Sequence, residues 1–411
     1  MIIKIVVASI LINAASVFAK IDTKQDMKIT LQKYEKEALG DWEALVRLDA
    51  TKSSASLRSL GRKCHPQKHH QASKWRQDQY RPLRNAFPAF TNSNFRSFPG
   101  DIDVLQAGCI FREGLALPPG HTLTPEIEEI TLLINCPQVC APWLGQNGVQ
   151  SEDIDLLIMI KSKGSEVWPR DVLRRGWLNN SCWAGRNVRH VFLLGRESPN
   201  RYRDMREQKL KQESNKYGDI VMLNFLESYH NNTYKLILGY AWPLAFCKSA
   251  RWVLYADSDM FIHSGNLLGL LSEISPEAGA RMVVGNIQSS MHAMRAKKDR
   301  KSKWDMPNSE YPYNLYEQYP SGGSYIIGFQ VLLDIYLATR FTKLIRIDDA
   351  FIGLALKKLQ IAPWHTEGLV RRAAFEINET DIISFHQGRS LNVQLALWKS
   401  LQLDKLCVTA R

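Results

Sequence analysis

Two phosphate-binding signatures are missing from this sequence. Neither GxxxxGK followed by Ser or Thr, nor GxGxxG, stands where a strand meets a helix, so neither a P-loop nor a dinucleotide-binding turn is supported. The seven cysteines (64, 109, 136, 140, 182, 247 and 407) contain no CxxC pair and are too dispersed for a zinc ribbon. A second long uncharged run is also absent, which excludes a multi-span membrane protein. Acid is nearly missing from residues 51–100, where Asp78 alone faces ten Lys or Arg. That stretch supplies +9 of the net +12, and the rest of the 411-residue chain is close to balance. The basic character is therefore local and does not by itself point to nucleic acid. With 45% apolar and 23% charged residues, composition is that of a globular protein and excludes disorder and collagen.

The one uncharged run that does occur is at the start. Ile5–Ala19 follows a single cation, Lys4, and ends in Val17-Phe18-Ala19, residues that a signal peptidase accepts. Residues 1–19 are read as a signal peptide or a short signal anchor, which implies entry into the secretory pathway. Three triplets fit a lumenal chain as N-glycan acceptors: Asn179-Asn180-Ser181, Asn231-Asn232-Thr233 and Asn378-Glu379-Thr380. In an oxidising lumen the seven cysteines allow up to three disulfides and leave at least one thiol over. Cys136 and Cys140 could form half of a metal site, but no second half follows, so they are read as structural.

Residues 20–150 read as a stem or N-terminal extension, with one charged, helix-like stretch near Asp26–Asp49. Ser53–Pro99 is rich in Ser, Arg, His, Asn and Pro and reads as a solvated spacer. Its cations, with Trp75 and Tyr80, leave contact with an anionic glycan open, but no nucleic-acid fold signature accompanies them.

From about Asp153 strand and helix alternate. Leu156–Ile160, His190–Leu194, Ile220–Leu223 and Trp252–Ala256 predict strands. Pro169–Trp177, Arg201–Tyr217 and Thr233–Phe246 predict helices, the last amphipathic. Short connections between them imply an α/β domain over residues 151–411, with a Rossmann-like, mostly parallel sheet and helices on both faces.

One constellation carries chemistry. The apolar strand before Asp257-Ser258-Asp259 ends in two carboxylates, and such folds bind ligands outside the carboxyl ends of their strands. Carboxylate oxygens suit hard divalent ions, which also bind diphosphate. A surface turn is the competing explanation. Asp349 follows another apolar run at a predicted helix start, where it could cap the helix or act as a base. Arg170 and Arg174 lie four apart on one helix face, as anion-binding groups or as solvated cations.

The ordered motifs resemble the β-1,3-glycosyltransferase family, the lumenal galactosyl- and N-acetylglucosaminyltransferases with a GT-A fold. The resemblance rests on Leu157–Ser162, Arg170 to Trp177, Tyr217-Gly218-Asp219-Ile220, Asp257-Ser258-Asp259, Tyr319 to Tyr325, Asp348-Asp349 and Ser384 to Gln387. It implies a metal-dependent, inverting hexosyltransferase that uses Mn²⁺ and a UDP-sugar, galactose first. The acceptor would be a glycan on protein or lipid, in the Golgi lumen, with membrane attachment if the N-terminal segment is retained; no nucleic acid is implied, and a homodimer is compatible.

Carried over residue by residue, the resemblance implies a catalytic base at Asp349 and metal ligands at Asp259 and His386. Donor contacts fall on Asp257, Arg170, Arg174 and Lys161, and acceptor or sugar contacts on Asp348, Gly322 and Gly323. Aromatics of Trp304–Tyr319 could stack on sugars or fill the core. Departures are Ser258 for an acid, Asp348 for Glu, Ala350 and Phe351 for Val and Tyr, and no cysteine before Ser321. The alternatives are an N-acetylglucosaminyltransferase, an inactive lumenal member serving as binding protein or chaperone, and a polyanion-binding lectin-like protein.

Overall fold

The computed structural model describes residues 23–61, 104–114, 124–141, 143–144, 150–151, 153–199, 201–296, 302–369, 382–386 and 398–399. The N-terminal run at 5–19, most of the basic stretch and Asn378 lie outside them. Among the described residues no helix is long and apolar enough to cross a membrane.

The run Leu156–Ile160 lies inside β2 (Ile154–Lys161), which is preceded by a short strand, β1 (Leu132–Ile134). Side chains alternate across the pleat. Leu156, Ile158 and Ile160 enter one apolar cluster, and Leu157 and Met159 the other. Chain order then runs α3 (Val167–Arg175), β3 (Val188–Arg196), α4 (Arg203–Tyr217), β4 (Ile220–Leu226), α5 (Asn232–Phe246) and β5 (Ala250–Asp257). Beyond it come β6 (Met260–Ile262), α6 (Ser264–Glu273), β7 (Val283–Gln288), β8 (Tyr319–Gly328), α7 (Phe329–Arg340), α8 (Asp348–Lys358), β9 (Trp364–His365) and β10 (Ser384–His386). Ahead of β1 stand α1 (Thr23–Arg47) and α2 (Val104–Arg112).

The eight-stranded sheet has the order β1-β4-β3-β2-β5-β8-β7-β9. Strands β4, β3, β2, β5, β7 and β9 run one way, and β1 and β8 run against them. A separate pair joins β6 to β10. The expected α/β class with helices on both faces holds: α3, α4 and α6 pack on one side, and α1, α5, α7 and α8 on the other.

Two expectations change. Helix α5 is not amphipathic, because Thr233 and every residue from Lys235 to Phe246 are buried. The sheet covers its inner side, and α1 covers the outer side through Ala38, Trp42 and Leu45, all in the same cluster. The Tyr34 hydroxyl donates to Phe246 O, and the Trp42 and Phe246 rings sit 6.1 Å apart. Each large side chain buried this way contributes roughly 1.5–3 kcal/mol.

The second change is that no break in packing separates the described parts of residues 20–150 from the rest. Fully buried Arg340 on α7 donates to Val46 O (2.7 Å) and to Thr124 Oγ1 (2.9 Å). Lys248 pairs with the fully buried Asp41 at 2.7 Å, and β1 completes one sheet edge. The described parts of the extension are therefore walls of the body, and most of the stretch read as a spacer, residues 62–99, lies outside the described residues. Cys140 and Cys247 form a disulfide that closes a loop of 107 residues, worth on the order of 4–5 kcal/mol by chain entropy. Cys109 and Cys182 are also disulfide-bonded, and Cys136 is a buried free thiol.

Candidate active site

Sheet register brings the first two groups together. Lys161 ends β2 opposite Asp257 at the end of β5, and its ammonium lies 3.0 Å from the Asp257 carboxylate. The same ammonium reaches Asp348 Oδ2 at 2.8 Å, which docks the start of α8 onto these strand ends. Burial works against the charge of Lys161, yet Asp257 and Asp348 hold it protonated well above its ordinary range. Asp257 is pushed up to about 6 by burial, with Asp259 and Asp348 adding repulsion that Lys161 offsets only in part.

Asp349 sits in the first turn of α8, where its carboxylate accepts from the Ala350 N–H (2.9 Å) and the Gly322 N–H (3.4 Å). Burial first, and the neighbouring Asp348 second, push it up to about 6. A Cβ on Gly322 would come within 3.2 Å of Asp349 Cβ, and one on Gly323 within 3.0 Å of Met260 Sδ. The crowding at these glycines is thus with Asp349 and Met260: the missing side chains let β8 lie against α8 and β6.

The other end of the cleft depends on the small sheet. Register pairs His386 with Met260, and His386 Nε2 lies 3.0 Å from Asp259 Oδ2 across a sequence separation of 127. Both side chains remain open to solvent, at 45% and 43% exposure. Asp259 Oδ1 is buried and has no hydrogen-bond partner. A carboxylate with one orphaned oxygen beside an imidazole nitrogen fits a divalent ion that takes mixed O and N ligands. Among the described residues no group of three or more His, Cys, Asp or Glu could hold a metal ion.

Arg170 and Arg174 are not donor-binding groups in this arrangement. Arg170 is fully buried and bound to Glu213 through Nε (2.8 Å) and Nη2 (2.6 Å), and to Ser162 Oγ and Lys163 O through Nη1. Arg174 binds Asp219 through Nε (2.7 Å) and Nη2 (2.8 Å) and stacks on Tyr217 at 3.9 Å. Both guanidiniums are committed to holding α3 against α4 and the loop before β4.

Sequence reasoning missed the supports behind the cleft. Glu166 Oε2 accepts from Ser162 Oγ (3.1 Å), Lys163 N (3.1 Å) and Ser258 Oγ (2.9 Å), so it ties the loop after β2 to the turn carrying Asp257 and Asp259. Lys235, buried on α5, donates to Ser162 O and to both oxygens of Glu227 at 2.8 Å. Nothing in the local pattern marks these residues, because each acts across the fold. Of the glycan triplets, Asn179 is exposed on a turn; Asn231 donates to Leu226 O, and Thr233 is fully buried against Ile345 O.

Residues 169–367 match the galactosyltransferase family model. The likeness to that family covers just under half of the chain. Human and mouse β-1,3-galactosyltransferase 1 are 32% identical over 213 residues, covering 52% of this chain and 63% of theirs. Lactosylceramide 1,3-N-acetyl-β-D-glucosaminyltransferase A of Xenopus laevis is 30% identical over 218 residues, covering 52% of this chain and 56% of its own. The chain thus spans less than two thirds of the curated relatives it matches. Among solved structures, the galactosyltransferase LgtC with donor and acceptor sugar analogues aligns over 61% of this chain and 95% of its own, at 11% identity and TM-score 0.32. The family region contains every proposed site residue except Lys161 and His386, together with the Asn179 and Asn231 triplets.

Proposed function

We propose that this chain is a metal-dependent, inverting hexosyltransferase that moves a hexose, galactose first, from a UDP-sugar to a glycan hydroxyl in β-1,3 linkage. The observation that carries the reading is the meeting of six groups from four distant segments at one set of strand ends: Lys161, Asp257, Asp259, Asp348, Asp349 and His386. In this reading the Asp349 carboxylate takes the proton of the acceptor hydroxyl while its oxygen forms the bond to the anomeric carbon. The bond from that carbon to the β-phosphate oxygen breaks, and the electron pair leaves with UDP. Asp259 and His386 would hold Mn²⁺, which when bound neutralises charge on the diphosphate. Lys161 keeps Asp257 and Asp348 in place, and Asp348 orients the acceptor beside Asp349.

The test is purified full-length protein with Mn²⁺ and each of UDP-galactose, UDP-N-acetylglucosamine and UDP-N-acetylgalactosamine, read as UDP release and as the linkage of the product. Preference for UDP-N-acetylglucosamine would select the second donor, in keeping with the name of the Xenopus relative. No hydrolysis of any UDP-hexose would leave an inactive family member that binds without turnover.

Two predictions attach to this reading. Asp259→Asn should weaken Mn²⁺ binding in the presence of UDP at least tenfold by calorimetry, since even groups behind metal ligands are worth about 10–100-fold. Unchanged binding would remove Asp259 from the metal site. The secretory pathway and Golgi lumen are the proposed location, supported by the Cys140–Cys247 disulfide and the exposed Asn179 triplet. Chain recovered from a secretory host should yield Cys140 and Cys247 in linked peptides and Asn179 as a glycopeptide; reduced cysteines and bare Asn179 would contradict that location.

A further inference from the structure

The aromatic stretch before β8 separates into two kinds of side chain. Tyr311 and Tyr319 are buried, and Tyr311 packs on Tyr313 and Tyr316 at 5.3 and 5.0 Å between ring centres. These rings are core. Trp304 is different, with 44% of its surface exposed. One exposed indole is unremarkable by itself, but this one is both fixed and placed.

Its backbone N–H donates to Ser302 Oγ (3.2 Å), and the Ser302 N–H donates to Asp305 Oδ2 (2.8 Å). Met306, two residues on, is buried and bonded to Met294 O at 2.7 Å. The Lys303 ammonium lies 5.0 Å from the Trp304 ring and 4.7 Å from the Tyr229 ring, and it makes no salt bridge among the described residues. Tyr229 adjoins Trp304 and stands close enough to Asp348 and Asp349 to feel their charge. Its turn leads into Thr233, whose hydroxyl bonds Ile345 O just before those carboxylates (2.7 Å). A solvent-facing indole on a pinned turn thus stands one aromatic ring away from the candidate base.

A pyranose has a face of C–H bonds whose weak positive charge suits the negative face of an indole, while its hydroxyls need donors at the edge. Trp304 offers the first, and the Lys303 ammonium, with N–H groups not committed to a carboxylate, offers the second. We propose that Trp304, with Lys303 and Tyr229, forms the acceptor subsite, and that it takes a neutral β-linked hexopyranose stacked by its C–H face. This rests on the hexosyltransferase reading for the reaction but not for the binding.

The experiment therefore has a binding arm and a turnover arm. Saturation-transfer NMR on the full chain with methyl β-galactoside and methyl N-acetyl-β-glucosaminide should give strong transfer to the C–H face protons of at least one. That transfer should disappear in Trp304→Ala and persist in Trp304→Phe, with thermal midpoints unchanged. In turnover, Trp304→Ala should raise the acceptor KM about tenfold, the scale of one aromatic contact. Transfer should fall further than acceptor-free hydrolysis of UDP-galactose, with the loss in KM and not in kcat. Equal binding by Trp304→Ala, tighter binding of methyl β-glucuronide than of either neutral sugar, or hydrolysis falling in step with transfer would each overturn the subsite. Sugar binding that needs Trp304, in a chain that hydrolyses no UDP-hexose, would sink the enzyme reading and leave the subsite standing.

Discussion

Asp349→Asn should lower transfer at pH 7.5 by about 10²–10⁴-fold, the usual worth of a general base, and at the same time make the protein harder to unfold. The two effects share one cause. Burial and the adjacent Asp348 raise the folded-state pKa of Asp349 from 3.8 to about 6. Between those values the folded chain holds a proton that the unfolded chain releases, so stability falls as pH rises from about 4 to about 6 and stays low above. The penalty at pH 7.5 is on the order of 2–3 kcal/mol, and a neutral amide of the same shape removes it. The gain in thermal midpoint should be present at pH 7.5, down to about a third at pH 4.5 and nearly gone at pH 3.5. Transfer by the unaltered enzyme should decline as pH drops through about 6, because only the ionised carboxylate can accept the hydroxyl proton. A helix cap of ordinary worth predicts the reverse: Asp349→Asn would keep activity and lose a little stability. Activity and stability moving in opposite directions, with that pH dependence, separates the base from the cap.

The strands were legible because burial on both faces leaves continuous apolar runs. The read boundaries of Ile220–Leu223 and Trp252–Ala256 fall within three residues of the observed β4 and β5. Helix α1 was legible as a helix but not as part of the body. It carries many charges, and its apolar side, Ala38, Trp42 and Leu45, gains meaning only from what it covers. Since α5 is apolar nearly all round, sheet contact alone could not bury it, and that was the available sign that a further layer existed.

The site divides in the same way. Asp257 and Asp259 end an apolar strand and could be found by position. His386 depends on β10 pairing with β6, a long-range event with no local trace. The arginines of α3 misled for a related reason. Their spacing showed a shared face, but the carboxylates that claim them lie 43 and 45 residues further along the chain.

That correction yields the other large effect. Arg170→Met should cost about 3–5 kcal/mol, since it leaves Glu213, only 6% exposed, as a buried carboxylate with part of its pairing gone. For a body of this size the thermal midpoint should fall by roughly 5–8 °C. Arg174 Nη1 still lies 2.9 Å from Glu213, which limits the loss without cancelling it. Adding Glu213→Met should recover most of the stability, because with both partners gone no orphaned charge remains. Donor KM should follow a different course. Arg170 also grips Ser162 Oγ and Lys163 O, in the loop whose Glu166 holds Ser258 between the two carboxylates of the cleft. The double variant restores none of those contacts, so its donor KM should stay raised while its midpoint returns. Had Arg170 met the donor directly, the single variant would keep its midpoint within about 1 °C, and the second substitution would rescue nothing.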